Sequence, residues 1–221
     1  MAITYEVHPE NPQQRSIDEI VNVLKDGAVM LYPTDTVYAI GCDINVKSAI
    51  QRVRQIKQLS NNKPLTFLCD SLSNISSYAI VSDPAYRIIK RLIPGPYTFL
   101  LPATKLVPRL VMDPKRQTTG IRVPDNNFCL ALLQTLGYPI ISTSAHITSD
   151  AEGMAPVEAD SFAGKAELFD GLEGLVDVIV DDGSDPGDRV STILDLTDWE
   201  PTIKREGLGF EKVATLVDLS V

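Results

Sequence analysis

Cysteine and histidine are scarce in this sequence, and long apolar runs are missing. The three cysteines, Cys42, Cys69 and Cys129, are odd in number and far apart, so neither a disulfide framework nor a zinc site is expected, and a reducing compartment fits. The first sixteen residues, MAITYEVHPENPQQRS, lack the basic start and apolar run of a signal peptide, and no stretch approaches the about 18 apolar residues of a membrane span. The expectation is a cytoplasmic protein with no membrane partner. Nucleotide signatures are also missing: neither Gly-x-x-x-x-Gly-Lys-Ser/Thr nor Gly-x-Gly-x-x-Gly occurs, so a bound nucleotide would be held by scattered side chains and strand-end backbone. No Gly-x-Ser-x-Gly elbow supports a serine hydrolase. The acidic run Asp181 to Asp188 misses the EF-hand register and reads as a turn.

What is present is an ordinary globular composition. With 221 residues, 44% hydrophobic and 22% charged, the chain can bury a sizeable core, and disorder and low complexity are excluded. Net charge is −9, which argues against a protein that coats nucleic acid over its whole surface. The charge is unevenly spread. Residues 51–122 hold twelve Lys or Arg against three Asp or Glu, while residues 150–200 hold two against fifteen. A basic stretch in an acidic chain suggests an anionic ligand at one site, although two solvated faces of opposite sign would look the same.

Periodicity and punctuation predict alternating strands and helices. Residues 3–7 alternate as a strand. Ser16 and Glu19 have capping-box spacing for a helix through Lys25, with Gly27 to end it. Ala28 to Tyr32 and Val37 to Cys42 read as strands around the polar loop Pro33-Thr34-Asp35-Thr36, and Asn45 is placed to cap a helix from Val46 to about Lys57. Further strands are expected at Leu65–Cys69, Tyr97–Leu101, Gly120–Val123, Pro139–Ser144, Val176–Val180, Ser191–Leu196 and Thr202–Lys204. Helices are expected after Asp83-Pro84, at Phe128–Leu136 before Gly137, and near Phe210–Leu216. The pattern is that of an α/β protein with helices on both faces of a mixed sheet.

Four segments carry polar groups where such sheets bind ligands. The Pro33–Tyr38 loop offers hydroxyls and a carboxylate, but Pro-Thr-Asp is also common turn chemistry. Arg52, Arg54, Lys57 and Lys63 form a row of cations suited to a triphosphate or to solvent. Arg122 stands in an apolar strand and requires an anion, either a structural carboxylate or a ligand. The two-residue period places Ser142, Ser144 and His146 on one face.

In this order the segments resemble the YrdC/YciO family of threonylcarbamoyl-AMP synthase-like proteins. Pro33 to Gly41 is similar to the family's Pro-Thr-Glu-Thr-Val-Tyr-Gly-Leu-Gly, Lys57 to Leu65 to its Lys-x-Arg-Pro-x-x-Lys/Asn-Pro-Leu, and Pro94 to Thr98 to its Pro-Gly-Pro-Leu-Thr. Thr118 to Pro124, Ser142 to His146, Ser191 to Leu196 and Arg205 to Gly207 align with its remaining motifs. The likeness spans about residues 10–210 and implies a single domain, residues 1–221, with one twisted sheet and a concave, positively lined cavity. It implies binding of L-threonine by Thr36, Arg122, Ser142 and Ser191, and of Mg-ATP, as substrate, by Lys57, Lys63, Thr118, Ser144 and Arg205. The implied reaction joins threonine, bicarbonate and ATP into L-threonylcarbamoyl-AMP and pyrophosphate for tRNA N6-threonylcarbamoyladenosine. No metal site and no covalent nucleophile is implied, and no catalytic residue is singled out. Leu59 stands in place of a family arginine that faces phosphate, Ser60 in place of the proline after it, Leu68 where many synthases have a histidine, and His146 in place of an asparagine. These departures resemble the YciO branch. They leave two routes open: Arg52 or Arg54 supplies the missing charge, or nothing does. The alternative function is a non-catalytic module of the same fold that binds tRNA or double-stranded RNA, although no row of stacking aromatics supports it.

Overall fold

A computed structural model describes residues 1–59, 64–145 and 164–218, with side chains to residue 216. Lys63 and His146 lie outside the described residues. The strands are β1 (Ile3–Glu6), β2 (Val29–Tyr32), β3 (Ala39–Asp43), β4 (Thr66–Leu68), β5 (Tyr97–Pro102), β6 (Thr118–Arg122), β7 (Ile140–Ser144), β8 (Val178–Asp181), β9 (Thr192–Asp195) and β10 (Thr202–Arg205). The helices are α1 (Gln14–Lys25), α2 (Lys47–Ile56), α3 (Leu72–Tyr78), α4 (Asp83–Leu92), α5 (Asn127–Leu136), α6 (Lys165–Leu172) and α7 (Phe210–Asp218). All ten strands join one sheet in the order β1-β8-β2-β3-β7-β4-β6-β5-β9-β10. Its pairings mix parallel ladders such as β4 with β6 and antiparallel ones such as β3 with β7, so the expected mixed α/β sheet is present.

The two faces are covered unequally. On one, Leu31, Ile40, Phe67, Phe99 and Ile121 pack under α2, α3, α4, α6 and α7. On the other, α1 and α5 bury Met30, Tyr32, Ala39, Leu68 and Ile140. Ile17, Ile20, Val21 and Leu24 of α1 are buried, each worth about 1.5–3 kcal/mol. Beyond this cover the second face continues along Ser142, Thr66 and Gly120, which are register partners across β7, β4 and β6. Among the described residues no helix packs on this part of the face, and Thr66 and Ser142 line a cavity there.

Element boundaries moved where local capping was read from spacing alone. The Ser16–Glu19 capping box does not form: α1 starts at Gln14 after Gln13, which puts Ile17 a full turn inside the helix. Asn45 does not cap α2, because its N–H donates to Asp43 Oδ1 at 2.7 Å and the helix follows Val46. Ser82, one residue before the expected cap, accepts from the Ala85 N–H and starts α4. α3 and α6 were not expected; Ser71 caps α3, accepting from the Asn74 N–H, and Ile75 is buried beneath it. Gly137 ends α5 as expected, in the left-handed region at φ +80°.

The far side of the sheet is tied by Arg52, whose Nη1 donates to Asp177 Oδ2 at 2.6 Å, while that carboxylate also accepts from the Val29 N–H at 2.8 Å. Burial pushes the Asp177 carboxyl up, but Arg52 and Val29 outweigh it and hold the carboxyl below its ordinary value. Asp195 is held low as well: burial pushes it up, and Thr197 and Arg116 outweigh that. A depressed folded-state value means stability that is complete above the ordinary carboxylate range, about 4, and is lost as pH falls through the lower folded value. The unfolding midpoint is therefore expected to fall steeply below about pH 4. Asp177→Asn should make that acid limb shallower; an unchanged slope in a pH series of denaturation curves would rule out this ion pair as its source.

Candidate functional site

The loop between β2 and β3 is held by its own hydroxyls. Thr34 Oγ1 donates to the Val37 carbonyl at 2.7 Å and accepts from the Thr36 N–H at 3.1 Å. This is the turn chemistry expected of Pro-Thr-Asp, and it presents the neighbouring side chains to Arg122. Arg122 Nη1 donates to Thr36 Oγ1 at 2.8 Å, and Nη2 forms an ion pair with Asp35. The anion that Arg122 requires is thus a structural carboxylate, supplied by the loop. Arg122 is buried and Asp35 largely so, and Arg122 Nε and Asp35 Oδ2 have no hydrogen-bond partner among the described residues.

On β7, Ser142 Oγ accepts from the Tyr32 hydroxyl at 2.6 Å. Burial raises the Tyr32 hydroxyl well above its ordinary value, so it stays protonated and donates. The Tyr32 ring reaches Ser142 by passing over Gly41, where an added Cβ would stand 2.6 Å from the Ile141 carbonyl oxygen and 2.8 Å from Tyr32 Cε1. Gly41→Ala is therefore expected to cost about 1–3 kcal/mol through overpacking and to break the Tyr32–Ser142 bond. A denaturant midpoint within error of the parent would rule this out.

The opposite wall comes from β5, β9 and β10. Thr98 Oγ1 and Ser191 Oγ are 2.9 Å apart. Arg205 donates to the Ser191 carbonyl from Nε at 3.0 Å and from Nη2 at 2.8 Å, and Nη2 also reaches Ser191 Oγ at 3.1 Å. The chain then folds back so closely that a Cβ on Gly207 would lie 2.4 Å from the Val190 carbonyl oxygen. That contact explains the Arg-x-Gly spacing at 205–207. Burial and the nearby Arg122 charge both lower the basicity of Arg205, so two guanidinium groups face one space and an anion between them would be stabilised.

These walls enclose a cavity of about 150 Å³. Thr36, Arg122, Ser142 and Ser191 all line it, together with Ser144 and Arg205. Thr34, Thr66 and Thr98 add hydroxyls that sequence reasoning did not assign. Asp35 and Tyr32 were likewise unassigned, since their roles depend on pairings with residues more than eighty positions away. Thr118 is buried on β6 but is not among the lining residues.

The Sua5/YciO/YrdC model, described as "Telomere recombination", matches residues 22–207. The chain belongs to this family. It is similar to Escherichia coli YciO, a protein named as uncharacterized, at 41% identity over 95% of this chain and 97% of that one. The crystal structure of that protein superposes with a TM-score of 0.83. A threonylcarbamoyl-AMP synthase of Pyrococcus abyssi is 28% identical over 88% of this chain and 55% of its own length. The structure of P. abyssi Sua5 complexed with L-threonine has a TM-score of 0.83 at 26% identity, covering 98% of this chain and 61% of that one.

Within the Sua5/YciO/YrdC motifs, the row of cations does not stay together. Arg52 is bound to Asp177. Arg54 is buried, and its guanidinium donates to the Leu110 carbonyl, from Nε at 3.1 Å. Arg52 is thus engaged by a carboxylate and Arg54 by a neutral carbonyl, and Arg54 lines a second cavity together with Leu59. Leu59 packs against the core cluster beside α2. Lys57 does not line the cavity. It follows the last residue of α2, whose buried side packs on the face of the sheet opposite the cavity. No helix among the described residues is long and apolar enough to cross a membrane.

Proposed function

We propose that this chain binds L-threonine in the cavity and joins it, as its carbamate, to the α-phosphate of ATP. The products are L-threonylcarbamoyl-AMP and pyrophosphate, the former an intermediate for tRNA N6-threonylcarbamoyladenosine. The observation that carries this reading is the convergence of Thr36, Arg122, Ser142 and Ser191 on one small space. A volume of about 150 Å³ is below the roughly 300 Å³ at which drug-sized pockets begin. It suits an amino acid, and ATP must then lie across the rim. Relatives named threonylcarbamoyl-AMP synthases, and a relative's structure with L-threonine, support the same assignment.

The chemistry needs positioning and charge more than a nucleophilic side chain. Threonine nitrogen and bicarbonate form the carbamate with loss of water. A carbamate oxygen attacks the α-phosphorus, the bond from phosphorus to the bridging oxygen breaks, and pyrophosphate leaves with that electron pair. Hydroxyls around the cavity hold the amino acid, while Arg205 and Ser144, which line it, face the phosphates together with Lys57. Magnesium arrives with ATP. With leucine at position 59 and both nearby arginines occupied, slow turnover is expected.

The test is pyrophosphate release in the presence of L-threonine, bicarbonate and Mg-ATP. Release that depends on both threonine and bicarbonate is expected. Release no greater than with ATP alone, together with tight binding of tRNA or double-stranded RNA at physiological salt, would replace the enzyme by the RNA-binding module.

A further inference from the structure

The link between β8 and β9 has an unusual task. In the sheet these strands stand seven places apart, which is about 34 Å along the sheet at 4.7–4.9 Å per strand. Residues 182–191 must cover it, and the eleven intervals from Asp181 to Thr192 span only about 36–40 Å when fully extended. The link begins with side-chain turns, in which Asp181 Oδ1 and Asp182 Oδ1 accept from the Gly183 and Ser184 N–H groups, so part of its length is not extended. The link therefore crosses the sheet with little slack, and on its way it lies against the β2–β3 loop.

The crossing touches the cavity at two points. A Cβ on Gly187 would stand 2.0 Å from the Thr36 carbonyl oxygen and 2.8 Å from its carbonyl carbon. Both are backbone atoms that cannot rotate away, so only glycine fits there. Three residues later Val190 and Ser191 form part of the cavity wall. The segment is fastened beyond that by the Leu208 N–H on the Val190 carbonyl at 2.8 Å and by Arg205 on the Ser191 carbonyl.

We propose that residues 182–190 are a taut strap and that Gly187 is a positioning residue, which sets the distance between Thr36 on one wall of the cavity and Ser191 on the other. Thr36 comes from the β2–β3 loop and Ser191 immediately precedes β9, and the strap, continuous with Ser191 and in contact with the Thr36 backbone, seats one against the other. This deepens the reading that the cavity binds L-threonine and rests on it for the binding readout.

Gly187→Ala is expected to weaken L-threonine binding at least tenfold by calorimetry. It should also speed hydrogen exchange at the Thr36 and Leu208 amides of the ligand-free protein. Gly174→Ala, where an added Cβ meets nothing within 4 Å, is the control and should change neither. Inserting two glycines between Ser184 and Asp185 supplies slack. Alone it should also loosen binding and speed exchange at both amides; combined with Gly187→Ala it should recover part of the affinity by letting the strap ride higher. If Gly187→Ala does not fold, the insertion variant carries the test. Parent-like affinity and exchange in both variants would overturn the strap. Weaker binding with unchanged exchange would overturn it too, since the loss would not pass through the strap. If the unmodified protein binds no threonine, the proposed function fails, and the exchange rates alone decide the strap.

Discussion

Arg122→Met is expected to lower the stability of the ligand-free protein by about 3–5 kcal/mol, the usual consequence of removing one partner of a buried ion pair, and to abolish measurable L-threonine binding. The side chains of Arg122 and Asp35 are only 9% and 11% exposed, so water does not screen the loss. Methionine fills much of the volume between Ile121 and Val123 but leaves the Asp35 carboxylate buried without a counter-charge. Thr36 also loses the donor that orients its hydroxyl. Adding Asp35→Asn should restore much of the stability, because removing both charges avoids the unpaired carboxylate. It should not restore binding. Denaturant midpoints for the two single variants and the double variant, with calorimetric titration of threonine, check both parts. A single variant as stable as the parent would show that Arg122 is not needed to neutralise Asp35.

Turnover should be most sensitive to Arg205. Of the two described cations assigned to ATP, Lys57 and Arg205, Arg205 lines the cavity, and its fork already binds Ser191. A charge-assisted contact made as charge develops on transferring phosphate contributes roughly 2.7–4 kcal/mol, about two to three decades in rate. Arg205→Ala is expected to reduce pyrophosphate release by about a hundredfold or more. Arg205→Lys should recover part of it, since the charge returns without the planar fork. The Ser191 carbonyl loses its donors in the alanine variant, so threonine affinity is expected to fall as well, but by less than turnover. A change below threefold in turnover would remove Arg205 from the phosphate site.

Apart from α3 and α6, the element types were legible because they depend on local pattern. Two-residue alternation in β7 put Ser142 and Ser144 on one face, the apolar stripe of α1 chose its buried side, and Gly137 ended α5, each through interactions a few residues long. Capping failed as a guide at Ser16 and Asn45 because burial of Ile17 and the Asp43 side chain outcompeted the expected hydroxyl and amide contacts. The cation row illustrates the same limit: Arg52, Arg54 and Lys57 share a helix, yet the first ends on Asp177 and the second on Leu110. Their partners lie 125 and 56 residues away.

Residue order alone therefore determined a mixed α/β sheet, its family, and the set of hydroxyls and guanidinium groups available for a site. Tertiary structure decided which of them meet. Arg122 finds Asp35 across 87 residues and Tyr32 finds Ser142 across 110, because the sheet order brings segments distant in the chain to one face. The choice between a structural and a ligand anion for Arg122, and the room reserved at Gly41 and Gly187, follow from that packing. A side chain's own residue type specifies what it can bond; only the folded sheet specifies what stands within 3 Å of it.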